Sequence, residues 1–179
     1  MLRIVVTLLV LLDVMLAVRI VVTMERARES SQPHAAIVPA PPPPVPVEYA
    51  TKCNRAPPKG FDGSLVAAAT EFGIDPKVLF VTVLRESGCH VRARGSSGEI
   101  GLGQVLPRVW VKSLREAGIL EEASDLWDVR TNLRASAYIL SRLLTDADGD
   151  TYGMFRRYNG SGPKARQYAR EQVRALASL

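Results

Sequence analysis

The sequence predicts a mostly α-helical domain with one small glycine-rich loop or β-hairpin, preceded by an N-terminal hydrophobic helix and a proline-rich linker. From residue 62 onward, apolar residues recur at helical spacing between capping signals and glycine stops. No alternating apolar and polar run is long enough to indicate a strand. All glycines and aromatic residues lie beyond residue 48, so only the C-terminal part has the composition of a packed core. We therefore divide the chain into residues 1–24, a signal-anchor or signal peptide, residues 25–58, the linker, and residues 59–179, the folded domain.

The charge of the chain argues against a nucleic-acid partner. There are 23 Lys and Arg against 18 Asp and Glu, a formal net charge of +5, and the excess is spread along the chain. Basic clusters and basic residues interleaved with aromatic ones, which are typical of nucleic-acid surfaces, do not appear in the sequence. A length of 179 residues suits one domain with appendages and excludes a large multidomain protein.

The N-terminal segment, residues 2–23, is apolar apart from Arg3, Asp13 and Arg19. Its length suits one crossing of a bilayer, which needs about 20 residues, and we interpret it as an anchor in the inner membrane. Asp13 makes the anchor a marginal one, because a central Asp costs about 2.5–3.5 kcal/mol on insertion scales. A cleaved signal peptide is the alternative, since residues 4–12 have the length of a signal-peptide core. The orientation of an anchor stays open, because Arg3 precedes the segment and Arg26 and Arg28 follow it.

The linker is rich in proline, with nine of the 12 prolines between Pro33 and Pro58. Such a stretch favours extended polyproline II, which rises ~3.1 Å per residue. We interpret it as a spacer, with a recognition role for the four successive prolines as the alternative.

The two cysteines, Cys53 at the end of the linker and Cys89 in the domain, form no metal-binding pattern. In an exported domain they would form a disulfide that attaches the incoming chain to the core. Two buried free thiols are the alternative.

The first two helices of the domain have clear boundaries. An amphipathic run from Ser64 to Phe72 ends at Gly73. A second helix begins at Pro76, with Asp75 as its N-cap, and continues until Gly88.

The remaining elements follow the same signals. The stretch Arg94–Gly103 holds four glycines among polar residues, which indicates an irregular loop or a small hairpin. A helix runs from Pro107 to Gly118, a long one begins at Asp128 or Thr131, and the last runs from Pro163 to about residue 176.

No metal or other cofactor is predicted. Residues 146–150, with three Asp and one Gly, resemble part of a calcium loop, but Arg157 stands where the loop requires Glu. We interpret this segment as a loop between helices. His34 and His90 have no second ligand at useful spacing.

Glu86 is the strongest candidate for chemistry. It lies in the final turn of the predicted second helix, after Val83 and Leu84 and before Gly88. The negative end of a helix and apolar surroundings both disfavour a carboxylate and so raise its pKa. A carboxyl of raised pKa is suited to act as a general acid.

Four motifs in order resemble the successive motifs of lytic transglycosylases related to goose-type lysozyme, the SLT domain. They are Glu86-Ser87, Gly101-Leu102-Gly103-Gln104-Val105, Asn132-Leu133 and Tyr158-Asn159-Gly160. The resemblance covers about residues 60–177, and Tyr168 matches a late tyrosine of the family. The segment Asn132–Leu140, with Tyr138, is most similar to the branch that serves specialised secretion, conjugation and phage functions.

The resemblance implies an α+β lysozyme-like fold, a peptidoglycan substrate and an envelope location. Glu86 would be the single catalytic acid, cleaving the β-1,4 bond between N-acetylmuramic acid and N-acetylglucosamine with formation of a 1,6-anhydro sugar. The residues that would bind substrate are Ser87, Gly101, Gln104, Tyr138, Tyr158 and Asn159. Alternatively, Tyr158 is a core aromatic and Asn159 only a turn former.

This sequence departs from the family pattern at three positions. Gly103 replaces a methionine, Ser136 replaces a glycine, and Cys89 stands where an aromatic is common. Two other functions stay open: a hydrolytic lysozyme or phage endolysin in which Glu99 or a water takes the second role, and a non-catalytic peptidoglycan-binding assembly module.

Overall fold

The computed structural model describes residues 49–179. The predicted anchor or signal peptide and the linker as far as residue 48 lie outside the described residues. Within residues 49–179, no helix combines the length and the apolar character that a membrane crossing requires.

The described part is mostly helical, as predicted. Its α-helices, numbered here in chain order, are α1 Phe61–Glu71, α2 Pro76–Ser87, α3 Pro107–Glu116, α4 Val129–Thr145, α5 Thr151–Asn159 and α6 Gly162–Ala177. Two 3-10 helices, Ala50–Lys52 and Ala123–Trp127, lie before α1 and before α4. Between α2 and α3 the glycine-rich segment forms no strand, and isolated antiparallel bridges join Ile100 to Arg94 and to Val105.

Helix α5 was not predicted from the sequence. Asp150 is its N-cap, and its carboxylate accepts hydrogen bonds from the N–H groups of Tyr152 at 3.0 Å and Gly153 at 2.8 Å. The helix has few apolar residues and a glycine near its start, so its pattern is weak. The Tyr158-Asn159 pair therefore lies in the last turn of a helix.

One helix boundary differs from the prediction, and one is decided between the two predicted starts. Helix α1 begins at Phe61, three residues before the predicted Ser64, because Gly60 adopts a left-handed φ of 80° and serves as the N-cap. Helix α4 is capped by Asp128, whose carboxylate accepts a hydrogen bond from Thr131 N at 2.9 Å, so Thr131 lies within the helix.

Helix α4 lies at the centre of the core. It packs against α1 on one side and α5 on the other, while α2 packs against α1 and α6. Leu133, Ala137 and Leu140 of α4 are fully buried. Their spacing places them on the apolar face of the helix, and the burial of this face contributes to the stability of the core.

The chain that enters the domain is attached at two points. Cys53 and Cys89 form a disulfide with a Cα–Cα distance of 5.6 Å, which joins the segment before α1 to the end of α2. Ala50 N also donates a hydrogen bond to Asp62 Oδ1 at 2.9 Å. Both contacts hold residues 49–53 against the domain.

Candidate active site

Glu86 lies in the last turn of α2, as the sequence predicted. The helix ends because Gly88 adopts a left-handed φ of 59° and its N–H bonds to Leu84 O at 3.0 Å. Glu86 is half-buried, and its carboxyl group faces a cavity.

The Glu86 cavity has a volume of about 310 Å³. It is walled by α2, the glycine-rich loop, α3, α4 and the end of α5. Its lining combines carboxyl, amide, hydroxyl and guanidinium groups with apolar and aromatic side chains: Glu86, Glu99, Gln104, Val105, Leu106, Val109, Trp110, Ile139, Arg157, Tyr158, Asn159 and Gly160.

The Glu86 carboxyl has one direct side-chain partner. Tyr168 of α6 donates a hydrogen bond from its hydroxyl to Glu86 Oε1 at 2.6 Å. Burial raises the pKa of Glu86, and this effect exceeds the lowering by the Tyr168 hydrogen bond and by the charge of Arg85. The charge of Glu99 raises the pKa further. Glu86 is thus held toward its protonated form, which a general acid requires.

Two tyrosine hydroxyls near Glu86 stay neutral. Burial, reinforced by the charge of Glu86, raises the pKa of both Tyr158 and Tyr168 far above the ordinary phenol value. Each hydroxyl therefore acts as a hydrogen-bond donor. Tyr158 donates to Gly103 O at 2.7 Å, which joins the end of α5 to the glycine-rich loop.

The side chain of Asn132 in α4 forms hydrogen bonds with the backbone of the glycine-rich loop. Its side chain is buried, and its Oδ1 accepts a hydrogen bond from Gly103 N at 2.9 Å. Its Nδ2 donates to Ile100 O at 2.9 Å and to Leu126 O at 2.8 Å. One amide thus satisfies three backbone groups and fixes the loop that forms one wall of the cavity.

Gly101 and Gln104 shape the same loop. Gly101 has a φ of 74°, and a Cβ there would overlap Asn132 Nδ2 and lie 3.0 Å from Leu126 O. Gln104 also has a positive φ, 49°, and its Nε2 donates to Gly101 O at 2.9 Å. Glycine at 101 is therefore required for Asn132 to approach, while Gln104 turns its amide along the cavity wall.

Gly103 and Ser136 fit each other closely. A Cβ at Gly103 would overlap Ser136 Oγ and lie 2.9 Å from Ser136 Cβ and 3.1 Å from Tyr158 Oη. Ser136 is fully buried, and its hydroxyl donates to Asn132 O at 2.8 Å. The two departures from the family pattern are thus in contact, and Ser136 fills the space that a side chain at position 103 would need.

The structure brings four of the predicted site residues to one cavity, namely Glu86, Gln104, Tyr158 and Asn159. The other three lie elsewhere. The Ser87 hydroxyl donates to Val83 O at 3.1 Å, Gly101 lies in the loop against Asn132, and Tyr138 packs edge-on against Phe72 with ring centroids 5.7 Å apart.

Sequence reasoning did not select several residues of this cavity. Arg157, beside the Tyr158-Asn159 pair, and Trp110 of α3 both line it, although neither belongs to the four motifs. Val109, also in α3, is 57% exposed and lines the cavity. An exposed apolar residue followed by an aromatic at the start of a helix is the signal that could have indicated this wall.

No metal site is found within residues 49–179, where no three His, Cys, Asp or Glu side chains group together. The segment that resembled part of a calcium loop connects α4 to α5, and its Asp150 caps α5.

The fold and this site together define a lysozyme-like domain. The chain belongs to the transglycosylase SLT domain family, which it matches over residues 64–178. The resemblance to the SLT domain is therefore confirmed, on a match that covers most of the folded domain, and the branch within the family stays a prediction.

Two solved structures share the fold. An inactive mutant of lytic transglycosylase Slt from Pseudomonas aeruginosa has a TM-score of 0.60 and 21% identity, over 64% of this chain and 23% of that one. The 70-kDa soluble lytic transglycosylase in complex with bulgecin A has a TM-score of 0.54 and 15% identity, over 66% of this chain and 20% of that one. The present chain thus matches less than a quarter of either protein.

Proposed function

We propose that this chain is a peptidoglycan lytic transglycosylase that uses Glu86 as its only catalytic carboxyl group. The observation that carries the proposal is a half-buried carboxyl of raised pKa, held by Tyr168, in the wall of an open cavity. Membership of the transglycosylase SLT domain family supports the same activity.

The proposed reaction needs no second carboxylate. Protonated Glu86 gives its proton to the glycosidic oxygen between N-acetylmuramic acid and N-acetylglucosamine, and the bond from C1 of the muramic acid to that oxygen breaks. The Glu86 carboxylate then takes the proton of the muramic C6 hydroxyl as that oxygen bonds to C1. The products are a free 4-hydroxyl and a 1,6-anhydro end, Glu86 is protonated again, and no water is consumed.

Polar groups on the cavity wall are suited to hold the N-acetyl groups of the sugars. Gln104 and Asn159 present amides, and Tyr158 presents a neutral hydroxyl that also fixes the glycine-rich loop. Ser87, Gly101 and Tyr138 remain part of the proposal through the family resemblance; in the free chain they do not line the cavity.

The test of Glu86 is Glu86→Gln in the full-length chain, assayed on purified peptidoglycan. Glutamine keeps the size of the side chain but has no acidic proton to transfer to the glycosidic oxygen. We therefore expect cleavage to fall by at least about a thousandfold. Glu116→Gln is the matched control, because Glu116 also ends a helix but lies outside the cavity. Unchanged cleavage by Glu86→Gln would show that Glu86 is not the catalytic acid, and no cleavage by the parent chain would favour a non-catalytic peptidoglycan-binding module.

One observation favours a second candidate, a hydrolase on the same fold. Glu99, in the glycine-rich loop, lines the same cavity as Glu86. Its charge raises the pKa of the Glu86 carboxyl. Its Oε2, however, already accepts a hydrogen bond from Ser97 N at 2.9 Å. We expect Glu99→Gln to keep cleavage within about threefold, whereas a hydrolase that activates water with Glu99 would lose it.

The proposal extends to the place and purpose of the activity. Residues 2–23 would anchor or export the chain, and the linker would hold the domain in the periplasm, where it opens the wall locally. The Cys53–Cys89 disulfide supports an oxidising compartment. An envelope-spanning secretion or conjugation assembly and a phage are the partners that the sequence resemblance suggests, in a bacterial or phage host.

A further inference from the structure

Arg157 is a cation in the wall of the Glu86 cavity. It lies in the last turn of α5, directly before Tyr158, and its side chain is exposed. Within residues 49–179 it forms no ion pair; the ion pairs there join Arg85 to Glu171, Lys112 to Glu116 and Arg134 to Glu71. A guanidinium group that lines a cavity and lacks a carboxylate partner is available to a ligand.

The position of Arg157 is distinct from that of its neighbour Arg156. Both are exposed and both lie at the negative end of α5, which favours a cation at either position. Both arginines line a separate hollow beside the α4–α5 loop, and only Arg157 also lines the Glu86 cavity. The helix dipole accounts for a basic residue at each of the two positions. It does not account for the position of Arg157 beside the Glu86 cavity.

The charged groups that line the cavity indicate which ligands Arg157 can bind. Protonated Glu86 is neutral, and Glu99 is the other carboxyl among the lining residues, with one oxygen engaged by Ser97 N–H. A neutral glycan offers a guanidinium group only hydroxyl and amide oxygens, which accept weaker hydrogen bonds than carboxylates do. A strand that carries carboxylates can form a charge-assisted, two-point hydrogen bond with it.

We propose that Arg157 binds a carboxylate of the peptidoglycan strand and so selects acidic glycans over neutral N-acetylglucosamine polymers. The carboxylate comes either from the lactyl group of N-acetylmuramic acid or from the peptide attached to it. This inference rests on the proposed function for the identity of the polymer, and it assigns to the chain a specificity residue outside the four motifs of the family.

The test uses full-length chains that carry Glu86→Gln, so that ligands bind without being cleaved. Calorimetry compares three ligands of equal sugar length: peptide-bearing murein fragments, murein fragments with free lactyl groups, and chitooligosaccharides. We expect Arg157→Gln to weaken at least one murein ligand by about tenfold and to leave the chitooligosaccharide affinity unchanged. The ligand that loses affinity identifies the source of the carboxylate.

Arg156→Gln is the matched control and should change none of the three affinities. Binding of the murein ligand to the parent chain should also weaken with added salt, while chitooligosaccharide binding should not, which tests the inference without altering Arg157. An equal loss for all ligands, or no loss for any, would overturn it. If the unmodified chain proves unable to cleave murein, the enzyme proposal fails, and the ligand preference of Arg157 is still decided by these affinities.

Discussion

At Glu86, burial and hydrogen bonding act on the same carboxyl in opposite directions. Burial raises its pKa above the ordinary value of 4.5, and the hydrogen bond from Tyr168 lowers it. Burial is the larger effect, so the protonated acid persists to higher pH than in an exposed glutamate. Activity that depends on this proton should be lost as pH rises through the raised pKa.

Tyr168→Phe should separate these two effects. The change removes the donor to Glu86 Oε1 and keeps the buried ring. The pKa of Glu86 should then rise further, so the alkaline limb of the kcat profile should move to higher pH. The plateau kcat should fall about tenfold, because the carboxyl is no longer oriented. Tyr152→Phe, outside the cavity, is the control, and an unmoved limb would contradict the assignment.

Gly103 and Ser136 should behave as one unit. Gly103→Met alone should lower stability by about 1–3 kcal/mol, because its Cβ meets the buried Ser136 side chain. Adding Ser136→Gly should restore most of the loss by opening that space. Chemical denaturation of the two single variants and the double variant measures the coupling. Additive effects would show that the two residues do not compete for the same space.

The sequence indicated Glu86 because a helix end and its apolar neighbours are local features. The sequence did not predict the hydrogen bond from Tyr168, which is 82 residues away. Only the packing of α6 on α2 brings the two side chains together. Arg157 was missed for a related reason. In the sequence, an arginine beside a motif cannot be distinguished from an ordinary surface residue. The fold shows that Arg157 lines the cavity.

At the scale of elements, the glycine-rich loop depends on α4. Asn132→Ala would leave Gly103 N–H and Leu126 C=O without their partner and would remove one of the two hydrogen bonds to Ile100 C=O, which also accepts from Val105 N. We expect a loss of about 3–5 kcal/mol in stability and a larger proportional loss of activity, since the cavity wall is no longer held. Thermal unfolding and a cleavage assay check both, with Asn54→Ala, at an exposed position, as the control.

A stability loss for Asn132→Ala no greater than that of the control would contradict this role for Asn132. The prediction of elements from sequence succeeded where cap and stop were strong, as for α2, and the proline at the start of α3 was enough to place its beginning. It failed for α5, where Gly153 and two arginines weaken the helical pattern and packing against α4 and α6 stabilises the helix.

At the scale of the whole molecule, the disulfide connects the domain to the segment that precedes it. Cys53 and Cys89 are 36 residues apart, and closing a loop of that length contributes about 3–4 kcal/mol in the chain-entropy model. Reduction should therefore lower the unfolding temperature, and Cys53→Ser with Cys89→Ser should reproduce the reduced value. A melting temperature that reduction leaves unchanged would contradict a stabilising role for this bond.

Export of the domain can be followed through the same two cysteines. Thiol trapping of chain recovered from the cell envelope should find both of them oxidised, as expected outside the cytoplasm. Free thiols in that fraction would contradict the proposed location.

The central claim is that Glu86 acts alone and that no water enters the product. The most direct measurement is digestion of peptidoglycan in water enriched in oxygen-18, followed by mass spectrometry of the new glycan ends. We expect 1,6-anhydro ends, lighter than reducing ends by one water and free of the heavy isotope, and no such ends with Glu86→Gln. Reducing ends that carry one oxygen-18 would contradict the claim and identify the chain as a hydrolase.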